Sequence, residues 1–322
     1  MADMRYRRLG NSGLTVSVVG LGCNSIGSNV DLSGTREIIA AALDCGITLF
    51  DTADVYGKMG GSEELLGAAL QGHRDEVIIA TKFGRDMAGG NGPDWDARGA
   101  RRYIVKAVEA SLRRLHTDWI DLYMMHVPDP LTPIHETLAA LDDLVRAGKV
   151  RYLGHSKFAA WQLADADWMA RTQGLTPFIC AENQYNLLQR EAEAELIPAC
   201  QRFGLGLLPF YPLARGLLTG KYRRGEPAPP NTRLAQAQYF PNLATAPWDT
   251  IEALTQFGAE RDRSLLEVAI GGLAAQPAVG AVISGATNPQ QVRQNAAAGA
   301  WVPTAEDLTA LTGLLTPRKR IY

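Results

Sequence analysis

The chain has 322 residues, of which 46% are hydrophobic and 20% charged, and its formal charge is −2. This composition supports a large core and excludes a disordered chain, and the near-zero charge gives no reason to expect a nucleic acid or an acidic membrane as partner. MADMRYRRLG at the start has no apolar signal region, no apolar run is long enough to span a bilayer, and Cys23, Cys45, Cys180 and Cys200 form no metal-ligand spacing; the expectation is a cytoplasmic protein with reduced thiols and no metal.

In chain order, RYRRLGNSGLTVS reads first as a hairpin around a Gly-Asn-Ser-Gly turn. Short apolar strands then alternate with helical patterns: strands at Val18–Gly22, Leu49–Asp51, Val77–Lys82, Ile120–His126, Val150–Ser156, Phe178–Asn183, Gly206–Phe210 and Gly280–Ile283, and helices at Gly34–Cys45, Ser62–Leu70, Ala97–Leu115, Pro133–Ala147, Ala159–Gln173, Gln189–Phe203, Thr250–Gln276 and Pro289–Ala298. Unbroken alternation implies a parallel sheet covered on both faces. Eight units imply an α/β fold closed as a (β/α)8 TIM barrel, which needs only about 250 residues, so residues 1–322 are expected to form one domain. The polar, proline-rich stretch 222–242 lies outside the repeat, and a long loop of this kind is usually functional. GLGCNSIG at 20–27 imitates a dinucleotide fingerprint, but Ser25 stands where the third glycine belongs, and the acid it would need, Asp44, falls on a helical pattern.

A (β/α)8 barrel places its active site at the C-terminal ends of the strands. Those ends carry Asp51 with Tyr56 in its loop, Lys82, His126, Ser156, and the group Glu182, Asn183 and Gln184. The Asp51 carboxylate at the end of a buried strand needs a partner, and Lys82 can supply it. An ammonium beside Tyr56 favours the phenolate and lowers the phenol pKa, which suits a general acid. His126 can then orient a carbonyl oxygen.

These motifs, FDTADVYG, ATKFG and MMHVPD, occur in an order and with neighbours that resemble the aldo-keto reductases, nearly end to end. The chain also resembles the branch that includes the potassium-channel β subunits. The resemblance implies a catalytic tetrad of Asp51, Tyr56, Lys82 and His126. It implies NADPH lying across the strand ends, with NADH as the less favoured alternative, and reduction of a small-molecule aldehyde or ketone. On the same basis Ser156 and Gln184 would hold the nicotinamide carboxamide, and Tyr211 would stack on its ring. Gly22, Asn24 and Asp51 would border the cofactor, and Pro212, Leu213, Gly216 and Lys221 would meet the pyrophosphate. In VISGATNPQQVRQN, Gly285 and Thr287 would sit at a helix N-terminus facing the adenosine phosphate, with Gln291 and Asn295 at the adenine. Lys157 and Arg233 would add positive charge near a phosphate, whereas Asn288 stands where a basic residue is common.

Two alternatives stay open: a Schiff-base aldolase using Lys82, and a cofactor-binding regulatory subunit. Asn24, Ile26, Lys58, Met59, Trp95, Tyr239 and Phe240 are the expected pocket walls, which suit a hydrophobic carbonyl compound, and no clustered cations mark a sugar phosphate. Gly271 and Gly272 inside a helical pattern have no evident function.

Overall fold

A computed structural model describes residues 4–236 and 243–315. Strands β1 (Tyr6–Arg8) and β2 (Thr15–Ser17) pair antiparallel as the expected hairpin. Eight parallel strands follow: β3 (Val19–Gly22), β4 (Leu49–Asp51), β5 (Ile78–Phe83), β6 (Ile120–Met125), β7 (Val150–Ser156), β8 (Phe178–Gln184), β9 (Gly206–Phe210) and β10 (Val282–Gly285). They run in chain order, except that β10 pairs with β3. A parallel bridge between Leu207 and Val279, with the Gly280 amide donating to the Leu207 carbonyl at 2.8 Å, nearly closes the ring between β9 and β10. The hairpin plugs the barrel from below. Leu9, Leu14 and Val16 pack with Leu49, Ala80, Leu122, Met124, Cys180 and Leu208 inside the ring, so the interior is filled from the N-terminal end and opens only at the other.

The helices form the outer layer. They are α1 (Leu32–Asp44), α2 (Tyr56–Ala69), α3 (Arg101–Leu115), α4 (Ile134–Arg146), α5 (Ala160–Gln173), α6 (Leu196–Phe203), α7 (Trp248–Ala259), α8 (Leu265–Ala274), α9 (Pro289–Ala298) and α10 (Ala305–Leu314). The expected single helix over Thr250–Gln276 is two. Ser264 caps the second reciprocally with Glu267, its hydroxyl accepting from the Glu267 amide, and Asp262 in the connection is left-handed at φ 53°. The span expected as Gln189–Phe203 is helical only as α6, preceded by a 3-10 turn at Glu191–Glu193. Helix α10 was not expected from the sequence. It explains one of the two helical glycines: a Cβ on Gly272 would lie 3.0 Å from Leu311, and one on Gly271 would lie 2.8 Å from the Trp301 ring. Both glycines therefore permit close packing of α8 against the C-terminal segment.

His155 on β7 is fully buried, stacked on Phe158 at 4.5 Å and edge-on to Phe178 at 5.3 Å, and neither ring nitrogen has a hydrogen-bond partner. Burial lowers its pKa to about 3. The unfolded chain takes up this proton near pH 6.5, whereas the folded chain resists it down to about 3. This contribution to stability is complete above the unfolded value and is lost as pH falls through that window, at about 1.4 kcal/mol per pH unit. Replacing His155 by Phe should remove that slope. Urea midpoints measured between pH 7 and pH 4 should fall less steeply in the variant than in the parent, whatever constant offset repacking adds.

Candidate active site

The C-terminal ends of the strands surround a cavity of about 630 Å³. Lys82, completely buried on β5, lies beneath it. Its ammonium donates to Asp51 Oδ1 at 2.6 Å and to the Thr52 carbonyl at 2.9 Å, and a second carboxylate, Glu182 Oε2 on β8, stands 3.2 Å away. Burial opposes the charge on Lys82, but Asp51 and Glu182 outweigh it and hold its proton well above the ordinary lysine value. Burial and then repulsion from Asp51 push Glu182 up to about 8. Burial raises Asp51 as well, against the pull of Lys82, so the two acids and the ammonium form one buried charge cluster. Glu182 is the residue that sequence reasoning noted at a strand end but did not place in the site. A second acid two residues before a predicted pocket residue on the same strand was the available signal.

The Tyr56 ring sits against this floor, with the Lys82 ammonium 5.2 Å from its centroid and the His126 ring edge-on at 5.7 Å. The expectation that Lys82 lowers the phenol pKa is corrected by the balance of effects. Burial raises it, and this outweighs the opposing pull of Lys82, so the phenol keeps its proton. His126 is held neutral by burial and by Lys82, Lys157 and Arg85, and its Nδ1 has no hydrogen-bond partner. The Ser156 hydroxyl is likewise buried without a partner. Both residues line the cavity, and unpaired buried polar atoms of this kind are uncommon in folded proteins.

The placement of Tyr56 depends on an unusual turn. Gly57, Lys58 and Met59 adopt left-handed φ values of 65°, 63° and 66°, and Gly60 follows at 113°; α2 is right-handed only after them, in agreement with the expected start at Ser62. A Cβ at Gly57 would meet the Ser62 nitrogen at 2.4 Å and the Ile26 carbonyl at 2.6 Å, which makes glycine obligatory there. Lys58 and Met59 have no such freedom, and left-handed backbone costs roughly 1–2 kcal/mol per residue. Such strain persists where surrounding contacts impose it. One of those contacts is Asp54, fully buried and accepting from Asn91 Nδ2 at 2.9 Å, which ties the Tyr56 loop to the loop after β5. Burial and the nearby Glu63 push Asp54 up to about 8.

Around the rim the cavity is lined by Gly22, Asn24, Asp51, Tyr56, His126, Ser156 and Lys157, then Tyr211, Pro212, Leu213, Gly216, Lys221 and Arg233, and finally Gly285, Thr287 and Gln291. Three expected site residues do not line it. Lys82 lies behind Asp51. Asn295 is buried and donates from Nδ2 to the Gly285 carbonyl at 3.3 Å, so it supports the rim. Gln184 borders a separate depression with Asn183, Phe158 and Leu196, and Glu182 takes the place in the main cavity. The Thr287 amide donates to Gln291 Oε1 at 2.8 Å, and Asn288 caps α9 by accepting from the Gln291 amide at 3.0 Å. This capping bond gives a structural reason for asparagine at 288. Lys157, Tyr211 and Arg215 on the rim, and Ala214 beside it, all have positive φ.

Among the expected pocket walls, only Asn24 lines the cavity. Ile26 is buried in the core, Lys58 and Met59 point elsewhere, and Trp95 is 62% exposed beneath the Arg102 guanidinium, 4.3 Å from its ring centroid. Tyr239 and Phe240 lie outside the described residues. The cavity contains Arg85 and Arg215 instead, neither of which was expected.

A model of the aldo/keto reductase family matches residues 18–316. A rice protein named as a probable voltage-gated potassium channel subunit beta is 35% identical over 302 residues, covering 91% of this chain and 90% of its own. The aldo-keto reductase YhdN of Bacillus subtilis is 35% identical over 324 residues, covering 97% and 94%. The L-glyceraldehyde 3-phosphate reductase of Escherichia coli K12 is 32% identical, covering 91% and 87%.

Proposed function

This chain belongs to the aldo/keto reductase family, and on that premise we propose that it reduces an aldehyde or ketone to an alcohol, with Tyr56 as proton donor and NADPH as reductant. The observation that carries this reading is the contact of Tyr56 with both Lys82 and His126 at the cavity floor. NADPH, when bound, supplies the hydride that reaches the carbonyl carbon. Tyr56, protonated by burial, gives its proton to the carbonyl oxygen as negative charge develops there. The Lys82 ammonium stabilises the phenolate left behind, and a solvent proton restores it. His126, being neutral, cannot act as the acid; it hydrogen-bonds the same oxygen and fixes its position. Lys82 is held charged by Asp51 and Glu182, which disfavours Schiff-base chemistry, since that needs a free amine.

The residues present suit the cofactor. The unpaired Ser156 hydroxyl can take the carboxamide and Tyr211 the ring. Gly216, at φ 109°, belongs to a turn whose rim is otherwise basic through Lys221 and Arg233. Gly285 and Thr287 precede α9, whose N-terminus favours an anion. NADPH should bind more tightly than NADH, because one charged hydrogen bond to phosphate contributes about 1.5–3 kcal/mol. Arg233→Ala should narrow the margin. Asn288→Arg should widen it, while loss of the α9 cap lowers stability by about 1 kcal/mol. Fluorescence titration of the four cofactor forms, paired with thermal melts, checks both effects; equal affinity for NADH and NADPH in the parent would mean that the groove does not read the 2′-phosphate.

A further inference from the structure

Consecutive strands β5, β6 and β7 place Arg85, His126 and Lys157 in one row along the rim, each just beyond its strand end. Strands in a sheet are about 4.8 Å apart, so the outer two residues start roughly 10 Å from each other with His126 between them, a span that an arginine and a lysine can close. All three line the cavity. Among the described residues neither Arg85 nor Lys157 has a carboxylate within ion-pair distance. Asp86, next to Arg85, is turned to Arg98 at 3.6 Å. Lys157 is held at a left-handed φ of 61° with its amide donating to the Glu182 carbonyl at 3.0 Å. The backbone is thus strained at a position where it brings a cation to the rim.

Two cations held beside each other without an acid repel, and the repulsion is relieved by a bound anion. Arg85 and Lys157 already act on each other: burial and then Arg85 lower the Lys157 pKa. The other charged groups facing this place are Lys82 and Glu182 at the floor. Glu182 opposes Arg85 in its effect on Lys157 but is the weaker of the two, and it is already engaged by the Lys82 ammonium at 3.2 Å.

We propose that Arg85 and Lys157 form an anion subsite beside His126, and that the carbonyl compound taken by this cavity carries a carboxylate or phosphate close to its carbonyl group. This rests on the reductase reading for the position of the carbonyl oxygen at Tyr56 and His126. Trp95 and Met59 do not line the cavity, and the aromatic at this end is Phe210, its ring centroid 5.8 Å from the Lys157 ammonium.

The test uses succinic semialdehyde and its methyl ester, which differ in one charge and little in shape. With NADPH as reductant, kcat/KM for the acid should exceed that for the ester about ten-fold, the effect of one charged hydrogen bond. Arg85→Gln should bring the ratio close to one, and Arg85→Glu should reverse it. Calorimetric titration of both compounds, and of inorganic phosphate, gives an arm that does not depend on turnover. Tighter binding of the acid that Arg85→Glu abolishes supports the subsite even if neither compound is reduced, in which case the reductase reading alone fails. Displacement of the acid by phosphate would extend the subsite to phosphorylated substrates. Reduction of acid and ester at equal rates, unchanged in Arg85→Glu, would overturn the subsite and leave the reductase reading standing. Loss of NADPH affinity in Arg85→Glu, without a change in the acid-to-ester ratio, would assign these cations to the cofactor and overturn the proposal too. Absence of any binding by acid or phosphate would overturn it outright.

Discussion

Lys82→Met should lose both turnover and about 3–5 kcal/mol of stability, the cost of breaking a buried ion pair from one side. The loss has a specific cause here. Lys82 is the cation between Asp51 and Glu182, at 2.6 Å and 3.2 Å. Without it, two buried carboxyls face each other, and both must hold protons for the barrel to stay closed. Their folded-state pKa values would then be raised far above those of the unfolded chain. Acids shifted in that direction contribute stability at low pH that is lost as pH rises. The variant should therefore be most stable near pH 4–5 and decline toward neutrality. Chemical denaturation across that range checks the sign. A Lys82→Met protein as stable and active as the parent would mean that the ammonium does not hold the floor together.

Tyr56→Phe should lower kcat by a factor of about 10² or more, the usual range for loss of a general acid. The ring contacts with Lys82 and His126 do not need the hydroxyl, so the fold and cofactor affinity should change little. The neighbouring imidazole offers no substitute acid, because burial and three nearby cations keep it neutral. Stopped-flow turnover with a carbonyl panel, together with cofactor titration, separates the two effects. Unchanged kcat in this variant would remove Tyr56 from the chemistry.

The barrel was legible because strand–helix alternation has a physical cause: buried parallel strands must be apolar on both faces, and their crossover helices carry the polar side. Asp51, Lys82 and His126 were legible for a related reason. A charged or polar side chain ending an apolar strand has to be satisfied at the strand's end, and in a barrel all those ends meet. What escaped depended on contacts across the fold. The break before α8 had a local sign, Ser264 followed three residues later by Glu267, but continuous apolar periodicity on either side concealed it. Gly271 and Gly272 make sense only once Trp301 and Leu311 pack against them. The direction of the Tyr56 shift could not follow from charge pairing alone, because it depends on how deeply the ring is buried. Glu182, Arg85 and the true orientation of Trp95 required knowing which side of a strand end or loop faces the cavity. Periodicity fixes that inside a strand and ceases to do so beyond its end.

The most direct measurement is transfer of a label. Incubating the protein with an aldehyde panel and NADPH deuterated at C4 on either face, followed by mass analysis of the products, reports hydride transfer without reference to any residue. The expected result is an alcohol carrying one deuterium on the former carbonyl carbon from one of the two labelled cofactors, formed in step with cofactor oxidation. An oxidised cofactor without labelled alcohol would contradict the account; so would no alcohol from any carbonyl compound while the cofactor binds, which would leave a protein that holds the cofactor without turning it over.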